Sequence, residues 1–210
     1  MQRFSSRQLE RYPVYLKLLK ALKEKGMTTV SSPVLAEMLG YSEEMIRKDF
    51  QAVSSSFGVP KKGRDVDAMI EDLESFLGYK SIKKAILFGV GHMGGALLRF
   101  HGFADMGLEI VAGIDVKPEL IGTKIEGKPI RSFLELPALL REEKIEIAIL
   151  CVPSAHAQEV AESLYDLGVK AIWNFAPVVL SLPIDALVEN VNLASSFAVL
   201  SHRLSRTKRK

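Results

Sequence analysis

The sequence predicts an α/β protein in two parts: an N-terminal winged helix-turn-helix domain, then a doubly wound, parallel sheet. Three observations carry that expectation. The first eighty residues hold amphipathic helical stretches separated by glycine turns. From Ser81 onward, apolar strand-like runs alternate with helical ones, the pattern of a parallel sheet covered on both faces. Between the first such strand and helix stands Gly89-x-Gly91-x-x-Gly94.

The first helix is expected over Ser6 to Lys25. Leu9, Tyr12, Leu16 and Leu19 recur at helical spacing, Tyr15, Leu18 and Leu22 widen the stripe, and Gly26 ends it. A second helix starts at Ser32-Pro33, with Ser32 as cap and proline in the first turn, and stops at Gly40. A third starts at Ser42, with Glu43 and Glu44 where the helix dipole favours acids, and runs to about Ser56. Its inner face is Ile46, Phe50, Val53 and Phe57. Its outer face presents Glu44, Arg47, Lys48, Gln51 and Ser55, a mixture suited to phosphates and base edges.

Helix, tight turn and polar-faced helix make a helix-turn-helix. The following basic stretch, with Lys61, Lys62 and Arg64, has the character of a wing lying along a DNA backbone. Asp67 then caps a helix closing at Gly78. Candidate DNA contacts are therefore Ser32, Ser42, Glu44, Arg47, Lys48, Gln51, Ser55, Lys61, Lys62 and Arg64. Charge agrees: residues 1 to 64 carry 12 Lys/Arg against 6 Asp/Glu, and residues 197 to 210 carry 5 against none. Residues 65 to 80 carry 1 against 5, and residues 81 to 196 carry 10 against 14. A basic front beside an acidic middle implies different partners for different parts.

The glycine motif has the context of a dinucleotide site, which makes the sheet Rossmann-like. The strand Ala85 to Phe88 runs into Gly89, which lets the chain turn sharply. Gly91 lets a pyrophosphate approach bare backbone, and Gly94 lets helix and strand pack closely. The helix N-terminus then offers amides and a positive dipole end. A second strand, Leu108 to Asp115, ends in an acid 21 residues after Gly94, near the spacing of a carboxylate that bonds an adenosine ribose. Asp115 favours NAD over NADP, Lys117 tempering that preference slightly.

A short segment around Pro129-Ile130, a helix from Ser132 to Glu143, and strands at Ile145 to Val152 and Val169 to Trp173 follow. Ala186 to Val191 forms a last strand and Leu193 to Leu204 a terminal helix. Turns beyond the strand ends should line the ligand. The candidate cofactor contacts are thus Gly89, Val90, Gly91, His92, Met93, Gly94, Asp115, Val116, Lys117, Cys151, Val152, Pro153, Asn174, Phe175 and Ala176. The domains are set at residues 1–79, 80–191 and 192–210, the last being a terminal helix and basic tail.

Several classes are disfavoured. No apolar run approaches the ~20 residues of a bilayer span. The N-terminus lacks a signal-like apolar core, and the lone Cys151 cannot make an internal disulfide or a cysteine zinc cluster, so a cytoplasmic location is the default. Of His92, His101, His156 and His202, only His156 follows a strand end as an acid–base candidate, with no partner acid identifiable. No metal is expected, and the dinucleotide is read as bound without being transformed. A small NAD-dependent oxidoreductase and a CoA- or nucleotide-binding module remain as alternatives.

The chain resembles the Rex family of bacterial redox-sensing transcriptional repressors. The resemblance rests on Ser32-Pro-Val-Leu-Ala-Glu-Met-Leu-Gly40, Ile46-Arg-Lys-Asp49, the glycine turn through Leu98, Ile114-Asp-Val116, Ile147 through Pro153, and Asn174-Phe-Ala-Pro177. It implies a homodimer that holds palindromic double-stranded operator DNA when NADH is scarce and releases it when NADH binds. It also implies that the last helix, including Leu193 and Phe197, is swapped onto the partner. Three places depart from the family pattern. Phe50-Gln-Ala-Val-Ser54 replaces a Leu-Ser-Tyr-like run, Phe100 replaces a tyrosine, and Asn192 replaces an aspartate. The last two remove a phenol and a charge from a polar switch expected near Arg11.

Overall fold

The computed structural model describes residues 4–54 and 63–207, in two compact units divided between Ser81 and Ile82. In the first unit the Ser5 hydroxyl accepts the Gln8 amide and starts α1 (Ser6–Glu24), satisfying one of the otherwise unpaired donors of the first turn. Tyr12, Tyr15, Leu16, Leu19 and Leu22 are buried, whereas Leu9, expected in the same stripe, is 42% exposed. In place of Leu9, Arg11 joins the expected Tyr12 and Tyr15 on the inner face, and the polar ends of these three reach toward a later helix, with Gln8 bonded to Tyr12. Pro13 sits inside α1 and lacks the donor that the Leu9 carbonyl would meet.

Strand β1 (Thr29–Val30) was not anticipated. Helix α2 (Ser32–Leu39) is capped by Ser31 rather than Ser32, so its proline still falls in the first turn, and it ends at Gly40 in the left-handed conformation. Helix α3 (Glu43–Val53) starts where expected, the Ser42 hydroxyl accepting the Met45 amide. It stops at Val53, short of the expected Ser56, with Ser54 extended. Ile46 and Phe50 are fully buried and Val53 partly so; Phe57 lies outside the described residues.

Strand β2 (Arg64–Asp65) pairs antiparallel with β1, so the chain after α3 returns to the strand before α2; the basic stretch expected as a wing lies largely outside the described residues. Helix α4 (Val66–Leu77) is capped by Asp65, whose carboxylate accepts the Ala68 amide, two residues earlier than the expected Asp67. The core between α1, α3 and α4 includes Tyr12, Tyr15, Leu19, Phe50, Met69 and Leu73. Burial of each such side chain contributes about 1.5–3 kcal/mol, which is what a domain this small depends on.

The second unit is a seven-stranded sheet. Its strands are β3 (Lys83–Phe88), β4 (Leu108–Ile114), β5 (Lys124–Ile125), β6 (Lys128–Arg131), β7 (Ile145–Leu150), β8 (Ala171–Asn174) and β9 (Leu187–Asn190). They lie in the order β5-β6-β4-β3-β7-β8-β9, all parallel except β5. From β6 to β9 this is the doubly wound order 3-2-1-4-5-6, which reverses direction between β3 and β7 and opens a crevice there.

Helix α5 (His92–Leu98), α6 (Leu136–Glu142), α7 (Ser154–Asp166) and α8 (Leu193–Thr207) complete the unit, with an unanticipated 3₁₀ turn at His101–Met106. One sheet face, with Ile86, Phe88, Ala112, Ala148 and Leu150, is packed by Leu136, Leu139, Ala157, Ala161 and Leu164 of α6 and α7. The other, with Ala85, Leu87, Ile110 and Ile149, is packed by Leu98 and Phe103. No residue of α8 is buried, and Leu193, Phe197, Leu200 and Leu204 stand 55–69% exposed.

Candidate dinucleotide cleft and nucleic-acid face

The crevice beyond the carboxyl ends of β3, β4 and β7 holds about 590 Å³. The three glycines of the turn beneath it have separable reasons to be glycine. Gly89 has φ +88°, and a Cβ there would lie 2.7 Å from the Cys151 carbonyl oxygen. At Gly94 a Cβ would fall 2.0 Å from the Gly89 carbonyl oxygen and 2.8 Å from Leu87 Cδ2. Both are dictated by packing of the chain against itself. Gly91 is not: its φ is −71° and a Cβ would meet nothing within 4 Å. What the missing side chain leaves free is space in front of the backbone.

Asp115 closes one end. Its carboxylate accepts three backbone N–H groups, from Val90 (2.7 Å), Val116 (2.8 Å) and Lys117 (3.0 Å). The bond from Val90 ties the end of β4 to the glycine turn. A carboxylate offers about four lone-pair directions, so one remains for a ligand hydroxyl. Much of the remaining lining is apolar, with Phe133, Val152, Val160, Phe175 and Pro177, and includes the exposed His156 and Pro153.

Of the residues expected at the cofactor, Gly89, Gly91, Met93, Asp115, Val116, Lys117, Cys151, Val152, Pro153, Phe175 and Ala176 line the cleft together. Four do not. Val90 is buried in the core beside Leu98, Gly94 lies beneath the turn, and His92 is exposed outside the lining. Asn174 is fully buried; its amide donates to the Val178 carbonyl and Asn190 Oδ1, each at 2.8 Å, and its Oδ1 accepts from Ala176. It braces the 174–178 turn from behind. Phe133 and Val160 are lining residues that the strand-end rule missed, because they reach the cleft from a 3₁₀ turn and a helix. Burial pushes the Cys151 thiol up to about 12, so it stays protonated and is a poor nucleophile at neutral pH.

In the first unit, Glu44, Arg47, Lys48 and Gln51 are all exposed along α3. Arg47 and Lys48 reach Glu43 and Glu44 one turn back, at 3.5 and 2.7 Å, as surface pairs. Ser42 is exposed as the α3 cap, and Ser32 is half-buried in the first turn of α2. Arg64 is half-buried, its guanidinium donating to the Ser54 hydroxyl and lying 5.8 Å from the Phe50 ring centre; desolvation lowers its pKa. Ser55, Lys61 and Lys62 lie outside the described residues.

Among the switch candidates, Phe100 is half-exposed and packs edge-on against Phe103, while Asn192 caps α8 by accepting the Ser195 amide. Arg11 is held within its own unit by Asp49. Among the described residues no group of three His, Cys, Asp or Glu is placed to hold a metal, and no helix is long and apolar enough to cross a membrane.

Comparison with known proteins agrees with this division. Residues 4–51 match the family model for a putative DNA-binding protein N-terminus, and residues 80–178 match the CoA binding domain model. The chain is 42% identical over 197 residues to the redox-sensing transcriptional repressor Rex of Bacteroides thetaiotaomicron, covering 94% of this chain and 89% of that protein. It is 37% identical over 200 residues to the Rex protein of Treponema denticola, covering 95% of each. A crystal structure of RSP with β-NAD+ and operator DNA superimposes with a TM-score of 0.90 at 31% identity, covering 99% of this chain and 95% of RSP. RSP with β-NADH gives 0.88 at 31% identity, covering 99% and 97%. With relatives this similar over nearly its whole length, the chain belongs to the Rex family of redox-sensing transcriptional repressors.

Proposed function

We propose that the protein is a transcriptional repressor that senses the NADH/NAD balance, holding palindromic operator DNA when NADH is low and releasing it when NADH binds. The observation that carries this is the cleft at Gly91 and Asp115 in one chain with a helix-turn-helix whose outer face is Arg47, Lys48 and Gln51. RSP, its structural relative, binds NAD+ together with operator DNA, and NADH. Here too the dinucleotide acts as an effector. Asp115 takes a ribose hydroxyl on its free lone pair, Gly91 lets the pyrophosphate approach, and the nicotinamide lies toward Val152 and Phe175. A cationic oxidised ring is disfavoured between such apolar groups, so the reduced form binds better.

The protein works as a cytoplasmic homodimer and turns over no substrate. His156 lines the cleft, and a hydride-transfer enzyme needs a positioned proton donor and a substrate pocket beside it. Dimerisation is supported by two uncovered apolar surfaces. One is the stripe Leu193, Phe197, Leu200 and Leu204 on α8; the other is a hollow of about 590 Å³ at β8 and β9, with Trp173 and the 71%-exposed Leu187. A parallel sheet is normally covered on both faces, and a swapped helix or a second sheet supplies that cover. Two helix-turn-helix units then meet half-sites about one DNA turn apart.

The test is titration of an operator complex with NADH, NAD and NADPH. Release by NADH at concentrations where equal NAD occupancy leaves the complex intact is the expected result; equal release at matched occupancy overturns it. By reciprocity, operator DNA weakens NADH binding by the same factor. Asp115→Ser should narrow the preference for NADH over NADPH by about tenfold or more, since a carboxylate ~4 Å from a 2′-phosphate costs several kcal/mol at a partly solvated site. Competitive titration of the two reduced dinucleotides measures it.

A further inference from the structure

The last residue of Ile46-Arg-Lys-Asp49 has no part in the outer face of α3. Asp49 is 2% exposed, one of the few buried charged side chains in the described chain. Arg11 of α1 grips it with both arms, Nε to Oδ2 at 2.7 Å and Nη2 to Oδ1 at 2.8 Å. The Tyr15 hydroxyl donates to Oδ2 at 2.7 Å, and the Tyr12 hydroxyl donates to the Asp49 backbone carbonyl at 3.2 Å. Behind them, Gln8 donates to the Tyr12 oxygen and Arg11 to the Arg7 carbonyl. One face of α1 therefore holds a single residue of α3 by side chain and backbone at once. That residue directly follows Arg47 and Lys48.

Apolar packing resists separation of two helices but only weakly resists rotation or sliding of one along the other, because Leu and Phe contacts are not directional. A bidentate guanidinium–carboxylate pair is directional, being planar and fork-shaped. A buried ion pair is also poor value as stabilisation alone, since apolar residues of similar volume often serve as well or better. The geometry points to Arg11 and Asp49 as positioning residues that fix the rotation and register of the recognition helix, so that Arg47, Lys48 and Gln51 meet base edges and phosphates in one orientation. Tyr15 and Tyr12 hold the pair in that setting. This inference rests on the reading of α3 as a DNA-contacting helix.

Positioning and mere stability differ in what they do to specificity. A helix set at the wrong angle loses base readout while its exposed cations still attract phosphates; a partly unfolded domain loses both together. The experiment uses the full chain, with fluorescence anisotropy on a labelled operator duplex and on a scrambled duplex of equal length. Asp49→Asn and Arg11→Lys are expected to weaken operator binding by about tenfold or more, the size of one lost base contact, while binding to scrambled DNA changes less than about threefold. Tyr15→Phe, which removes one hydroxyl, should give a smaller loss in the same direction.

The double variant Arg11→Met with Asp49→Leu guards against simple misfolding. It should melt near the parent temperature, titrate NADH normally and still fail to recover operator preference. Recovery of operator affinity by this apolar pair overturns the proposal, as does an equal loss on both duplexes in the single variants. A parent chain that does not distinguish operator from scrambled DNA at any salt concentration would instead remove the DNA-reading assignment beneath it.

Discussion

Gly91→Ala is expected to cost at least tenfold in NADH affinity while moving the melting temperature by no more than a few degrees. Gly94→Ala is expected to cost both. The asymmetry follows from what each new methyl would meet. At Gly94 it would stand 2.0 Å from the Gly89 carbonyl oxygen, a backbone atom that cannot give way without pulling α5 off β3. Overpacking of that kind costs about 1–3 kcal/mol or more and misplaces the turn as well.

At Gly91 the methyl meets no protein atom within 4 Å, and φ of −71° suits alanine. The protein barely registers it, apart from a few tenths to about 1 kcal/mol for a poorer helix cap. On the proposed reading, a pyrophosphate that approaches this backbone does register it. Fluorescence titration with NADH, run beside a thermal melt, separates the two variants. A Gly91→Ala protein binding NADH at parental strength would show that the ligand passes elsewhere. The contrast matters because G-x-G-x-x-G as a pattern treats its three glycines alike, whereas packing of the chain against itself accounts for Gly89 and Gly94 and not for Gly91.

The parts of the fold that were legible in the sequence are those governed by local rules. Gly40 and Gly78 mark helix ends because only a left-handed residue closes these turns, and both adopt that conformation. Apolar runs ending at Phe88, Ile114 and Leu150 mark buried parallel strands, because both faces of each must be apolar. Less legible were the places where competing local signals sit one or two residues apart. Ser31 and Ser32 both have cap chemistry, as do Asp65 and Asp67, and the helices start after the first of each pair.

Least legible was anything requiring two distant residues to meet. Nothing in the stretch around Asp49 says that its carboxylate turns inward to Arg11, 38 positions away. The helical pattern places Leu9 in the stripe with Tyr12 and Tyr15, but Leu9 is exposed and Arg11 joins the two tyrosines in bonding α3. Asp115 was recognisable as a strand-end acid at the right spacing. That it also accepts the Val90 amide, tying the end of β4 to the glycine turn, needed coordinates. The same holds for Asn174, which reads as a cleft residue by position and proves to be the brace behind the cleft wall.

Replacing Arg47 and Lys48 together by alanine is expected to abolish operator binding at physiological salt, a loss of at least a hundredfold, with NADH titration and thermal stability intact. Both side chains are well exposed, at 64% and 72%, and their pairs with Glu43 and Glu44 are surface i,i+4 contacts worth at most about 0.5 kcal/mol. Removing them thus costs the domain little, and the tethering acids release them to DNA cheaply. Each cation that neutralises a phosphate releases about one condensed counterion, so its loss lowers the slope of log affinity against log salt by about 0.9.

A cation that reads a base edge leaves that slope nearly unchanged but relaxes preference at one operator position, at about 1–3 kcal/mol. Measuring the single variants Arg47→Ala and Lys48→Ala at several salt concentrations, on the operator and on single-base substitutions of it, therefore assigns each residue its own task. If both variants keep parental slope and parental preference, α3 does not face DNA through these residues. If NADH affinity falls along with operator affinity, the loss lies in folding, because neither side chain lines the cleft where the dinucleotide is read.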